Sequence, residues 1–497
     1  MSPLAFSAAM RTWLVMALIA IAQIARAQEE AVSLTLRECI ERALENNLDI
    51  SIERINPQIQ SANVLGAYGD FDPHLQLNVS RTHSETPLFV VQTNSAATET
   101  RATFVSPGLI GKLPTGTSYD FSYDATRQLT SPQFINQYRG VGSITLTQPL
   151  MRNLGFGANL KTLRIAKKNK QIAHYTLVTK ITDTVNQVHK AYYDLIFVIE
   201  NLKVQEESLD LAKALLAENK KRLEVGMMSP LDVTQAESGV ASQEEAVIQA
   251  QQDIRTQANL LRRLISSDVT PLRHARLVPV DTPVVDPVSV NVDQSIKLSL
   301  SNRPEYLQQK QQIELNQIQL RFDRNQLFPQ VDLKASYGQA GLGSTFEQAF
   351  DSAAGGTDFP QWTIGLVVDI PLGDFQARGN YRSSKLKIQQ SILQLKNTEQ
   401  SIIVDVDNAA ALVQTNLKRI DATGAARRLA EETLNAERKK LQAGTSTSYT
   451  VLQHQRDLTD ARSKEIRAIA DYNESLADLY RAEGTLLQKN SVVVKPD

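Results

Sequence analysis

The sequence predicts a mixed α and β protein built from two tandem repeats, each with a β-hairpin and a long helical hairpin. Three observations support this fold class. Residues 159–225 and 383–443 are rich in Ala and Gln and almost free of Pro, as long helices are. Short segments of alternating apolar and polar residues precede both, as expected of β-strands. Both helical segments are interrupted by the same pattern, 218 residues apart, which indicates an internal duplication.

Residues 1–27 have the features of a cleaved secretory signal peptide. Arg11 precedes an apolar run from Trp13 to Ala25, and Ala25-Arg26-Ala27 has the small-x-small pattern of a cleavage site. The run covers about 13 residues, whereas a membrane-spanning helix needs roughly 20. We therefore expect the mature chain to begin at Gln28 and to leave the cytoplasm.

The composition argues against nucleic acid as a partner and against a disulfide framework. The formal net charge is −1 at pH 7, and a phosphate-binding surface normally needs a basic excess. Cys39 is the single cysteine and cannot form an intramolecular disulfide. Its place on the apolar side of a short helical segment predicts a small buried side chain.

The order of elements is predicted to be the same in both repeats. Each repeat begins with a short helix, continues with a β-hairpin and ends with a helical hairpin. The first repeat is assigned to residues 28–265 and the second to 293–488, separated by a Pro-rich linker at 266–292 and followed by a tail at 489–497. The hairpins are assigned to residues 73–149 (β) and 159–265 (helical) in the first repeat, and 329–371 and 383–487 in the second.

Five segments are predicted strands because one face of each is apolar and the other carries hydroxyl, amide or acidic side chains: 74–80, 118–125, 142–148, 330–337 and 363–370. Such strands suit a sheet with lipid on one face and water on the other. No apolar run after the signal peptide approaches bilayer length. If the mature chain crosses a membrane, the sequence therefore predicts that it does so as a closed β-barrel.

The two β-hairpins differ in length. Pro73 and Pro329 are 256 residues apart at their starts, whereas Pro149 and Pro371 are 222 apart at their ends. Nearly all of the length difference between the repeats therefore lies in the first β-hairpin. The surplus, at about 81–137, is predicted to be either a long external loop or an extra hairpin.

The long helices show a seven-residue repeat. In the first helix this position is apolar for about 35 residues, which indicates supercoiled helices. At about 1.5 Å per residue the helix would be on the order of 100 Å long, a length that suits a rod or a tunnel. The repeat consists of Val188, Leu195, Leu202, Leu209, Leu216 and Leu223, with Val406, Val413, Ile420, Arg427, Leu434 and Leu441 in the second helix.

Each helical hairpin is predicted to turn at a glycine. Gly supplies the left-handed C-terminal cap of the first helix, and a hydroxyl residue three positions later starts the returning helix. The tips are assigned to about 226–231 and 444–449. The matching pairs are Gly226 and Gly444, Ser229 and Thr447, Val233 and Val451, and Gln235 and Gln453.

The chain resembles the TolC-like outer membrane efflux family. Each landmark is short, and the resemblance depends on their series and on the internal duplication. Together they cover residues 33–487: LTLRECIERALENNLDI at 34–50, AYYDL at 191–195, the two glycine turns, NRPE at 302–305, FPQVDL at 328–333 and PLG at 371–373.

The resemblance implies a homotrimer in which each chain contributes about four strands to one 12-stranded transmembrane β-barrel in the outer membrane. The long helices would continue it as a coiled-coil tunnel through the periplasm. The implied partners are outer membrane lipid, an inner membrane pump and a periplasmic adaptor that docks at the tips. The implied docking residues are Gly226, Ser229, Leu231, Gly444, Thr447 and Tyr449.

The family often carries acidic residues that ring the closed aperture after the second tip. The corresponding positions here are Thr450 and Gln453, and neither is acidic. The remaining acidic candidates are Asp232, after the first tip, and Asp457, one turn beyond Gln453. An alternative role for Asp232 is to stabilise a helix N-terminus through the macrodipole.

No enzyme motif or cofactor site is expected. The six His show no metal-ligand spacing, and HExxH, Walker and GxSxG motifs are absent. The expected function is the passive outer membrane exit duct of a tripartite efflux or type I secretion system, carrying small molecules or proteins. The alternative is a periplasmic coiled-coil adaptor or structural protein, which would explain the seven-residue repeat but not the amphipathic strands.

Overall fold

The structure is a computed structural model that describes residues 31–87, 97–131, 135–355 and 359–494. The predicted signal peptide and the last three residues of the tail lie outside the described residues. The chain divides into two compact units, and each takes parts of both repeats. The first unit comprises Met1–Ile55, Tyr175–Leu307 and Asn397–Asp497, and the second comprises Asn56–His174 and Gln308–Lys396.

The second unit contains one antiparallel sheet in the order β2-β3-β4-β5-β7-β8. Successive strands of each repeat are neighbours, and β5 of the first repeat pairs with β7 of the second. The strands are β2 (His74–Pro87), β3 (Ala97–Lys112), β4 (Ser118–Thr130), β5 (Ile135–Pro149), β7 (Gln330–Gly343) and β8 (Pro360–Asp369).

The sheet corrects the expected strand count from about four to six. Of the two alternatives for residues 81–137, the extra hairpin is present, because β3 and β4 pair with each other and with β2 and β5. Alternation in the sequence predicts five of these six strands. The sixth, β3, contains Pro107, which has no backbone N–H and argues against an interior strand when only the sequence is considered.

The two faces of the sheet differ in polarity. Leu75 pairs with Leu109, Leu109 with Phe121, and Phe121 with Ile144, so these apolar residues share one face. Polar residues occupy the other face, where Ser106 Oγ donates to Asp124 Oδ1 at 2.6 Å and the hydroxyls of Ser122 and Ser143 lie 3.1 Å apart. The sheet is therefore amphipathic, as the alternation in its strands predicted.

A short helix in the connection between β7 and β8, Phe346–Ala354, packs on the apolar face of β5 and β7. Glycines allow this close approach, since a Cβ on Gly341 would overlap the backbone of Ala349. Its aromatic rings meet those of the sheet edge to face, Phe346 with Tyr138 and Phe350 with Tyr123.

In chain order the helices are α1 (Leu36–Asn46), α2 (Leu48–Gly66), α3 (Gly155–Asn159), α4 (Lys161–Glu224), α5 (Pro230–Ile265), α6 (Val292–Asn302), α7 (Pro304–Asn325), α8 (Phe346–Ala354), α9 (Phe375–Gln442), α10 (Ser448–Glu483) and α11 (Leu486–Lys489). A 3₁₀ turn follows α2 at Ala67–Phe71. Within the predicted linker, β6 (Arg276–Pro279) pairs in parallel with β1 (Ala31–Leu34). No helix of the described residues is both long and apolar enough to span a membrane.

The core of the first unit lies between the long helices and the short helix α1. Cys39 is fully buried there, which confirms its predicted place in the core. Along α4 the predicted positions Val188 and Leu195 are fully buried, but Leu202, Leu209, Leu216 and Leu223 are only half-buried. The buried stripe in that part of α4 instead consists of Val204, Ser208, Ala212, Leu215 and Asn219, so its spacing departs from seven.

Candidate functional site: the two helical hairpin tips

Both tips begin with the same helix C-terminus. Gly226 and Gly444 have φ of 73° and 75°, the left-handed region that other residues adopt at a cost. The N–H of Gly226 donates to Leu223 O and that of Met227 to Arg222 O. The same two bonds recur at Gly444 and Thr445, so both ends are Schellman motifs. A Cβ on either glycine would meet no atom within 4 Å, so backbone conformation alone explains the glycines.

Both returning helices begin with a hydroxyl cap. Ser229 Oγ accepts the Leu231 N–H at 3.2 Å, and Thr447 Oγ1 accepts the Thr450 N–H at 3.3 Å. Asp232 Oδ2 accepts the Ser229 N–H at 3.3 Å and completes a capping box at the first tip. Thr450 occupies the equivalent position at the second tip, where its hydroxyl lies 2.9 Å from that of Thr447.

Apolar side chains are exposed at both tips. Leu231 is 63% exposed and Tyr449 is 60% exposed. Each is the second residue of its returning helix, so the two positions are equivalent. Met227 and Val225 of the first tip are 79% and 68% exposed. Exposed apolar side chains concentrated at the end of a helical hairpin are a feature of surfaces that bind another protein.

A buried polar contact joins the two tips. Asn219 of α4 is fully buried, donates to Asp232 O at 3.4 Å and accepts from Ser448 Oγ at 3.1 Å. Arg222 Nη1 donates to Leu441 O at 3.1 Å. Because a buried amide without partners would cost about 1–3 kcal/mol, these bonds fix the first tip against the second.

The carboxylate of Glu437 connects the loop of the second tip to helix α9. Glu437 accepts a hydrogen bond from Ser446 Oγ and another from Lys440 Nζ at 2.9 Å. These hydrogen bonds, that from Ser446 above all, hold the pKa of Glu437 below its usual range. The tip loop at Ser446 is thereby tied to the last turns of α9.

The candidate aperture residues lie at the start of the returning helices. Asp232 and Thr450 are half-exposed and take part in the caps described above. Gln453 Nε2 donates to Asp457 Oδ1 at 3.3 Å, and His454 Nδ1 lies 3.3 Å from Asp457 Oδ2. The Asp457 side chain is 49% exposed, so this carboxylate faces solvent next to a histidine.

The sequence alone did not identify Asn219, Arg222, Glu437 or Ser448. A signal was present, because Asn219 and Glu437 are separated by the same 218 residues as the two glycines. Both are polar and buried within two turns of the helix end. Among the residues that the structure describes, no group of His, Cys, Asp and Glu side chains could hold a metal ion.

Comparison with known proteins yields a family and a fold. The family model described as "Outer membrane efflux protein" matches residues 116–267 and 295–485. Nodulation protein T of Rhizobium leguminosarum bv. trifolii is 20% identical over 334 residues, 67% of this chain and 69% of that protein. The pyoverdine export outer membrane protein OpmQ of Pseudomonas aeruginosa is 24% identical over 338 residues, 66% of this chain and 67% of that protein.

Solved structures share the fold over nearly the whole chain. The outer membrane protein VceC of Vibrio cholerae superposes with a TM-score of 0.67 at 19% identity, covering 90% of this chain and 96% of that one. At this identity the likeness concerns the fold, which is that of TolC-like channels, with mixed α and β structure in two tandem repeats.

Proposed function

The chain belongs to the outer membrane efflux protein family, and from this premise we propose that it is the exit duct of a tripartite export system. Three chains assemble into one channel, whose strands cross the outer membrane and whose long helices extend into the periplasm. An inner membrane pump delivers cargo, and a periplasmic adaptor connects the pump to the channel. The family match over both repeats is the observation that carries this proposal.

The hairpin tips are the proposed adaptor-docking surface, formed by Gly226, Ser229, Leu231, Gly444, Thr447 and Tyr449. The support is local geometry. Both tips have the same Schellman turn and hydroxyl cap, and both place an apolar side chain in solvent at the same position. Three chains would present six such tips, so one adaptor fold could bind equivalent surfaces repeatedly.

The docking proposal is tested by placing a charge on both tips. The double variant Leu231→Asp and Tyr449→Asp should lose adaptor-dependent export, because a carboxylate at each apolar contact would have to be desolvated on binding. Accumulation of an exported dye is measured in cells that supply the cognate adaptor and pump. The matched control, Ile248→Asp with Leu429→Asp, changes side chains of similar exposure away from the tips. Normal export by a well-expressed, trimeric tip variant would refute the assignment.

Transport through this protein is proposed to be passive. A water-filled duct has no energy source of its own, so the choice of cargo belongs mainly to the pump and adaptor. One relative is named for pyoverdine export. We therefore assign small organic molecules as the cargo class. Opening of the duct requires a partner that binds the open form more tightly than the closed form.

Asp232, Thr450, Gln453 and Asp457 are proposed to face the aperture. Asp457 is the stronger carboxylate candidate, because Asp232 is fixed at its helix cap by the backbone N–H of Ser229, whereas Asp457 is 49% exposed and, among the described residues, is contacted only by side chains of its own helix. In planar bilayers, Asp457→Asn should lower the preference for cations over anions, read as a shift in reversal potential. Asp232→Asn should shift it less. An unchanged reversal potential in Asp457→Asn would remove that residue from the aperture.

A further inference from the structure

We infer that the free edges of β2 and β8 pair with each other between neighbouring copies of this chain, so that three six-stranded sheets close an 18-stranded barrel. This inference rests on the proposed trimeric channel. It concerns how the chains meet and how wide the membrane-spanning part is, which the family match does not determine.

The sheet has two open edges. Among the described residues, β2 pairs only with β3, and β8 pairs only with β7. The other edge of β2 has no neighbouring strand, which leaves a row of its backbone N–H and C=O groups without strand partners, and all 14 of its residues are exposed. Such an edge cannot remain unpaired in lipid, where each unsatisfied backbone group costs several kcal/mol.

The directions of the two edges are complementary. Every neighbouring pair in the sheet is antiparallel and the number of strands is even, so β2 and β8 run in opposite directions. A β8 placed beside the β2 of a neighbouring copy therefore continues the antiparallel order of the sheet. The occupant that fits each edge is a second copy of this chain.

The apolar faces also match across the proposed junction. One row of directly opposite residues crosses the whole sheet from β2 to β8, so its members share one face. In strand order they are Leu75, Leu109, Phe121, Ile144, Tyr337 and Trp362. The alternate residues of both edges extend that face: Leu77 and Val79 on β2, and Ile364, Leu366 and Val368 on β8, each more than half exposed. Pairing the edges makes the apolar band continuous.

The extra hairpin is an integral part of the sheet. β3 and β4 lie between β2 and β5, and the Ser106–Asp124 and Ser122–Ser143 hydrogen bonds connect β3 to β4 and β4 to β5. Six strands are too few for one chain to close alone, since known membrane barrels begin at about eight. Barrel diameter grows roughly linearly with strand number, so three chains give a barrel about 1.5 times as wide as a 12-stranded one.

Cysteine pairs on the polar face test this arrangement in the full-length protein, in a Cys39→Ser background. The pair Ser122→Cys and Ser143→Cys reports whether β4 lies beside β5. The pair Asn78→Cys and Ser143→Cys reports whether β2 lies beside β5 instead, as it would in a four-stranded sheet. Between chains, Asn78→Cys is combined in turn with Gln361→Cys, Thr363→Cys, Gly365→Cys or Val367→Cys. Directly opposite residues in neighbouring strands meet the distance needed for a disulfide.

We expect an intramolecular disulfide for the first pair, none for the second, and a covalent trimer on non-reducing gels for at least one β2–β8 combination. A disulfide between positions 78 and 143 would overturn the 18-stranded arrangement, as would the absence of any β2–β8 disulfide in folded protein. A trimer that exports cargo but gives either of these results would leave the proposed function standing. Loss of the trimer itself would instead count against the proposed function.

Discussion

At the scale of single residues, the tips are determined by backbone conformation. Gly226 and Gly444 both have positive φ and no neighbour that a Cβ would strike. This requirement is local, so the sequence predicted both glycines and both hydroxyl caps. The roles of Asn219 and Ser448 could not be predicted in the same way, because their burial depends on the packing of one hairpin against the other.

Replacing either tip glycine by alanine should destabilise the protein. Gly226→Ala or Gly444→Ala places a Cβ in the left-handed region, at a cost of about 1–2 kcal/mol. The matched control is Gly379→Ala within α9, where φ is not positive and a Cβ meets nothing, so the variant should gain about 0.4–1 kcal/mol. Far-UV circular dichroism melts of detergent-solubilised protein measure both. Equal Tm values for the tip and control variants would show that the left-handed conformation of the tip glycines does not contribute to stability.

At the scale of elements, a charge network joins α4 to α10. Arg467 Nη1 contacts Asp194 Oδ1 at 2.5 Å, its Nε contacts Asp471 Oδ1 at 2.6 Å, and its Nη2 lies 3.5 Å from Glu474 Oε1. One guanidinium therefore faces three carboxylates. Burial, with Asp194 adding to it, raises the pKa of Glu474 from 4.5 to about 8, although Arg467 opposes the shift.

The raised pKa makes stability depend on pH. The folded state binds the Glu474 proton more tightly than the unfolded state, so this stabilisation is present below pH 4.5 and is lost as pH rises through about 8. Glu474→Gln removes the effect and should raise the Tm relative to the parent at pH 9 but not at pH 4. The exposed Glu206→Gln controls for losing a carboxylate. A Tm difference that is the same at both pH values would contradict this description of the network.

At the scale of elements, sequence patterns were sufficient to predict most strands and helices. The amphipathic strands and the long Pro-poor helices lie where their patterns predicted, because each pattern marks an apolar face that must be kept from water. However, β2 and β7 extend seven and six residues beyond their predicted ends. The seven-residue repeat predicted burial well in α9, where Val406, Val413, Leu434 and Leu441 are buried, but less well in α4. Leu202, Leu209 and Leu216 are only half-buried, since the buried stripe of α4 departs from a strict seven-residue spacing and includes Val204, Ala212 and Leu215 instead.

At the scale of the whole molecule, two repeats of one unit give a sheet and a pair of helical hairpins. The duplication could be predicted because matched prolines flank both β-hairpins and the same tip pattern recurs 218 residues later. The number of strands could not be predicted, since Pro107 argues against an interior strand at β3 and the extra length of the first β-hairpin fitted a loop equally well. The exposed apolar face and the two open edges of the sheet are consistent with several chains closing together.

The most direct test of that closure is the mass of the mature protein in solution. Membranes are extracted in detergent, and the mass of the protein component is measured by light scattering coupled to size-exclusion chromatography. We expect three chains per particle and release from the membrane only in detergent, with high salt releasing none. A monomer that stays soluble without detergent would contradict closure between chains.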